Sequence, residues 1–94
     1  MTTFIMQGKY SAESIKKISK GRTVDAIKII KQNKGKLMAA YAVMGETDLL
    51  FITEFPDMAK AIKASISLNK KLGISFATLP AINIDEFDKL AVNK

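Results

Sequence analysis

Lys36-Leu37-Met38-Ala39-Ala40-Tyr41-Ala42-Val43-Met44-Gly45-Glu46-Thr47-Asp48-Leu49-Leu50-Phe51-Ile52-Thr53-Glu54-Phe55 is the stretch that decides how this chain folds. Two apolar runs, Leu37 to Met44 and Leu49 to Ile52, flank the polar tetrad Gly45-Glu46-Thr47-Asp48. A half-exposed antiparallel sheet alternates apolar and polar residues, whereas strands covered on both sides are near-continuously apolar. A hairpin built from these runs is apolar on both faces and needs two covers.

The rest of the chain sets what those covers are. Thr3 to Tyr10 is an expected first strand, with Phe4, Met6 and Tyr10 on one face and Ile5 and Gln7 on the other. Ser11 is an expected N-cap with Glu13 in the first turn, and Gly21 interrupts the helix that follows. Val24, Ile27 and Ile30, flanked by Ala26 and Ile29, form its expected apolar stripe, and Gly35 its stop signal. Strands are predicted over Lys36 to Met44 and Asp48 to Phe55. Pro56-Asp57 opens a second helix with Asp57 as N-cap and Gly73 as C-cap, its stripe being Met58, Ala61, Ile62, Ser65, Leu68 and Leu72. Ile74 to Leu79 is a fourth strand closed by Pro80. Asn83 and Glu86 form a capping-box pattern for a short helix over Ile84 to Ala91, with Phe87 and Leu90 facing inward and Val92 to Lys94 fraying. Met6, Met38, Met44 and Met58 are assigned to the core, where methionine packs adaptably.

The order βαββαβ, plus a helical tail, predicts a single α+β domain over residues 1–94: a ferredoxin-like antiparallel four-stranded sheet with two helices on one face. The other face then carries about half the residues of four apolar strands. Four strands at ~4.8 Å spacing, five to six residues each, span on the order of 350 Å² in projection. At ~25 cal/mol per Å², covering ~500 Å² of accessible surface on each protomer favours association by about 12 kcal/mol gross, before entropic costs. The expectation is a sheet-to-sheet homodimer, a dimeric α+β barrel. The alternative is that the last helix folds back over the open face, but eight helical residues span only ~12 Å.

Composition narrows the chemistry. The chain has no cysteine and no histidine. That excludes disulfides and Ser-His or Cys-His nucleophilic machinery, along with the usual zinc sites and haem ligation. No metal or cofactor is implied. The longest apolar run, Leu37 to Met44, is far short of the ~18 residues that span a bilayer, and the opening residues have no leader pattern, so the expected location is cytoplasmic. The net charge is +6, and residues 1 to 45 hold nine Lys/Arg against Glu13 and Asp25. Nucleic acid is the tempting partner for such charge, but between Ser11 and Lys36 no aromatic residue supplies a stacking platform. A solvated helix face accounts for these cations without a nucleic-acid site.

At Gly45-Glu46-Thr47-Asp48, followed by Leu49 to Thr53 and Glu54-Phe55-Pro56-Asp57, the chain resembles the GYD-domain family, named for a Gly-Tyr-Asp signature at the turn into its third strand. The resemblance extends to Phe4 through Tyr10, to Gly35-Lys36-Leu37 with Tyr41, and to Thr78-Leu79-Pro80-Ala81-Ile82. It implies the dimeric ferredoxin-like barrel and a family without an established activity. Thr47 stands where the signature has tyrosine, so no role of that tyrosine carries over. More distantly, Gly45 to Asp48, Pro56-Asp57 and Gly73-Ile74 resemble the ligand-sensing half of leucine-responsive bacterial regulators, which implies small-effector binding at subunit contacts.

Gly45 is expected to supply positive φ in the hairpin turn and Asp48 to accept backbone hydrogen bonds there. The sharper reading places Asp48 in the dimer interior with Tyr41, Gln7 and Lys9, as the polar groups of a small-molecule site with apolar walls. The chain is then a small homodimeric binding module. Its rivals are a cofactor-independent isomerase or monooxygenase using the same cavity, in which Asp48 acts as a general base, and a structural or nucleic-acid-associated oligomer.

Overall fold

A computed structural model describes residues 1–92. The elements are β1 (Thr2–Tyr10), a single 3-10 turn at Ser14–Lys17, α1 (Lys20–Gln32), β2 (Lys36–Ala42), β3 (Leu49–Phe55), α2 (Met58–Leu72), β4 (Ile74–Ala81) and α3 (Ile84–Val92). The strands form one antiparallel sheet in the order β2-β3-β1-β4. This is the expected α+β, ferredoxin-like fold, with the double βαβ connection placing β1 and β3 at the centre. None of the described helices is long and apolar enough to cross a membrane.

The core lies between one sheet face and the two long helices. Phe4, Met6, Phe51 and Phe55 rise from the sheet to meet Ile29 and Ile30 of α1 and Ala61, Ala64 and Leu68 of α2. The Phe4 and Phe55 rings pack edge to face, 6.0 Å between centroids. Thr53 is fully buried among them, and its hydroxyl is satisfied by donating to the Phe4 carbonyl at 3.3 Å.

Local signals place α2 where the sequence predicts it. The Asp57 carboxylate accepts from the Lys60 N–H at 2.9 Å, and Gly73 ends the helix in the left-handed region at φ 69°. Gly45 in the β2–β3 turn likewise has positive φ, 131°.

Other expectations are corrected. The first helix does not run from Ser11 through a break at Gly21. Ser11 is instead drawn into a knot in which the Ser14 hydroxyl donates to the Gly73 carbonyl at 2.9 Å and the Ser11 N–H donates to the same oxygen at 3.0 Å. The helix starts again at Lys20, capped by the Ser19 hydroxyl accepting from the Arg22 N–H. Its buried residues are Ala26, Ile29 and Ile30, while Val24 is exposed. On α2, Met58 and Ile62 are exposed and Ala64 is buried instead, because the helix turns a narrow, small-residue face to the sheet. Met6 is the core methionine; Met38, Met44 and Met58 are solvent-exposed. Strand β2 stops at Ala42, since the Val43 N–H donates to the Asp48 carbonyl and closes the hairpin there. Strand β4 continues through Pro80 to Ala81, which an edge strand tolerates. The cap of α3 forms as expected, Asn83 accepting from the Glu86 N–H at 2.9 Å, but Phe87 and Leu90 do not face inward: α3 buries none of its residues. Of the tail expected to fray, Val92 closes α3 and residues 93–94 lie outside the described residues.

Candidate functional site

The sheet face turned away from the helices is organised in cross-strand rows fixed by the register. Ala39, Ile52, Ile5 and Leu79 form one row across all the strands. Tyr41, Leu50, Gln7 and Ala77 form the next. Polar residues frame them: Lys36, Glu54 and Thr3 on one side, Lys9 and Ser75 on the other. Seven of the eight residues in the two middle rows are apolar or aromatic, with Gln7 the exception. Leu79 is 45% exposed and Tyr41 57%, so neither is covered within the protomer. An apolar patch rimmed by polar groups marks an interaction surface.

All four residues singled out in the sequence belong to one end of this sheet. Gln7 and Tyr41 pair with Leu50 from opposite sides. Lys9 lies two residues further along β1, on the same face as Gln7. Asp48 immediately precedes Leu49, the partner of Gly8. Its carboxylate accepts from the Tyr10 N–H at 3.0 Å, while its own N–H donates to the Gly8 carbonyl at 2.8 Å. The aspartate side chain therefore clamps the end of β1 to the hairpin. Its bonding partner is across the strand pair rather than within the turn. Tyr41, Gln7 and Lys9 carry no such structural bond to the backbone in the described hydrogen-bond network.

A second concavity lies in the other layer, where no sequence motif marks a site. Between the first turns of α1 and the far end of β2 and β3 is a half-open cleft of about 220 Å³, floored by Ala40, Ala42, Leu49 and Phe51. Arg22 and Thr23 of α1 form its polar wall, with Tyr10 at one end. The cleft exists because α1 buries its later residues, Ala26, Ile29 and Ile30, while β2 offers only alanines beneath its first turn. Arg22 is pinned: its Nη2 donates to the Leu72 carbonyl at the end of α2, and its Nε is buried without a hydrogen-bond partner among the described residues.

The comparisons with known proteins agree with the architecture. No curated protein matches the sequence. Among solved structures, the crystal structure of the Mycobacterium tuberculosis leucine response regulatory protein superposes with a TM-score of 0.58 at 8% identity, covering 87% of this chain. This chain spans 51% of that regulator's length, and at such identity the likeness is one of fold. The family described as the GYD domain matches residues 4–91, which takes in both long helices and all of the sheet except the first two residues of β1. The chain belongs to the GYD domain family.

Proposed function

We propose that this chain is a homodimeric small-molecule-binding module, two copies pairing through their open sheet faces and holding a ligand at the end of the interior where Gln7, Lys9, Tyr41 and Asp48 gather. The observation that carries the reading is the framed apolar patch, with Ile5, Ile52, Leu50 and Leu79 at its centre. Its own helices lie on the opposite face, and α3 buries nothing against it. A second copy related by a two-fold axis presents the same patch and covers it without any further element. The interior so formed has apolar walls and a few polar groups at one end, the usual composition of a small-molecule site.

The test is native mass spectrometry combined with sedimentation velocity on the wild type and on Ile52→Lys, which puts a charge in the centre of the patch. The wild type is expected as a dimer carrying extra, non-protein mass, and Ile52→Lys as a monomer with unchanged far-ultraviolet circular dichroism. A wild-type monomer at micromolar concentration overturns the pairing. A dimer of protein mass alone, with Tyr41→Phe and Gln7→Ala indistinguishable from wild type in ligand screens, overturns the ligand half.

A further inference from the structure

The cleft under the first turn of α1 lies on the helix side of the sheet, away from the proposed dimer face, and its chemistry is specific. Its floor is apolar and set low by two alanines: Ala40 and Ala42 fill little of the space between sheet and helix, and the Phe51 ring closes the bottom. A volume of about 220 Å³ holds roughly seven groups the size of a water or methylene, at ~30 Å³ each. The wall is polar on one side only. Arg22 presents a guanidinium whose charge is permanent and whose position is fixed by the bond to the Leu72 carbonyl. Beside it, the Ser19 hydroxyl accepts from the Arg22 N–H at 3.3 Å, which leaves the hydroxyl proton free to donate outward. The charge around the guanidinium is net positive, since Lys17, Lys70 and Lys71 share the adjoining surface depression with Arg22 against Glu13 alone. The first turn of a 13-residue helix adds its positive dipole end to the same side. A cation would be repelled here, and a small inorganic anion would leave the apolar floor uncovered.

We infer that this cleft is a binding site for a compact apolar monocarboxylate, its carboxylate at Arg22 and Ser19 and its hydrocarbon body on the floor made by Ala40, Ala42 and Phe51. The anion supplies an acceptor for the Arg22 guanidinium and for the outward-facing Ser19 hydroxyl proton, and the body displaces poorly held water from apolar surface. Tyr41 borders the cleft through its place between the two alanines and also belongs to the open-face row, so occupancy on the helix side adjoins the strand that forms the proposed dimer surface. The site itself is complete within one protomer and does not depend on pairing.

Sodium hexanoate, a compact monocarboxylate of about the cleft's volume, is the probe, titrated into the ¹⁵N-labelled full chain and read by backbone amide shifts. Saturable shifts are expected at Thr23, Ala26, Ala40 and Ala42. Hexan-1-ol and hexylamine, which keep the body and remove or reverse the charge, are expected to bind at least roughly tenfold more weakly. Arg22→Gln is expected to reduce hexanoate to the affinity of the alcohol. Ala40→Phe fills the floor and is expected to abolish binding of all three probes, and Ala42→Leu serves the same purpose should the larger ring disturb the sheet. Ile52→Lys is expected to bind hexanoate like the wild type, which separates this site from the dimer reading. Absence of saturable shifts, equal binding of the amine, or shifts confined to Ile5, Gln7 and Leu50 on the open face would each overturn the assignment.

Discussion

Asp48, Lys34 and Gly35 show how single positions fix this chain. The Asp48 N–H, carbonyl and carboxylate are all engaged, with Gly8, Val43 and Tyr10 respectively, at 2.8, 2.9 and 3.0 Å. Replacing the carboxylate strands the Tyr10 N–H, a part-buried donor, which costs about 1 to 3 kcal/mol. Asp48→Ala should therefore lower the urea midpoint clearly, whereas Asp48→Asn, which keeps an acceptor oxygen, should retain most of the stability. If Asp48→Asn is as damaging as Asp48→Ala in equilibrium unfolding, the clamp depends on charge rather than on the bond. At the end of α1 the chain forms a paired closure: the Gly35 N–H donates to the Ile30 carbonyl and the Lys34 N–H to that of Lys31. The residue in the left-handed conformation is Lys34, at φ 64°, one position before the glycine that reads as the stop signal. Glycine is needed at 35 for another reason, since a β-carbon there would lie 2.3 Å from the Phe55 ring. Lys34→Gly should accordingly stabilise the protein by about 0.5 to 1 kcal/mol, measured as a raised denaturation midpoint.

Among the elements, those governed by neighbours in sequence were the legible ones. Helix α2 begins and ends on Asp57 and Gly73 because both signals act within a turn of the helix end, and Asp57→Ala should cost about 1 kcal/mol in urea unfolding. The start of α1 was not legible for the converse reason. Ser11 and Ser19 both look like caps, and the choice between them is made by Gly73, far along the chain, which engages Ser11 and Ser14. The apolar face of each helix was only partly legible: Ala26 and Ala61 are buried as expected, but Val24, Met58 and Ile62 are exposed and Ala64, outside the expected stripe, is buried. Small residues there let the helices sit close to Phe4, Phe51 and Phe55, a demand set by the sheet and not by the helix period. The candidate site divides in the same way. Tyr41 and Asp48 come together through the β2–β3 hairpin, a local rule, and Gln7 and Lys9 join them through the long-range β1–β3 pairing that the βαββαβ order implies, while the cleft is a deficit of side-chain volume between Arg22 and Ala40 that no sequence pattern announces. Helix α3 is a further case: its cap was legible and its surroundings were not, with Phe87 54% and Leu90 70% exposed. Since it buries nothing within the protomer, truncation after Asn83 in the Ile52→Lys background should change the unfolding free energy by less than about 1 kcal/mol. A larger loss would show that α3 packs on its own chain in solution.

At the scale of the whole molecule, one layer of helices covers one side of a sheet that is apolar on both. The long axis of the protomer is 50 Å against 18 Å for the short one, a thin slab with a large surface for its mass. Its radius of gyration, 14.3 Å, exceeds the roughly 12 Å expected of a compact chain this long. A slab of this kind gains most by stacking face to face, which places the two apolar rows of each copy in a shared interior. On the proposed pairing, stability depends on concentration, because unfolding of a dimer releases two chains. A tenfold rise in concentration is worth ~1.4 kcal/mol. Two chains of 94 residues have an unfolding entropy of ~0.4 kcal/mol/K. The thermal midpoint should therefore climb by about 3.5 °C per decade of protein concentration in scanning calorimetry, and that of Ile52→Lys should be lower and flat. A wild-type midpoint that stays constant across two decades would mean that the open face is stable in water, and the pairing would have to be abandoned.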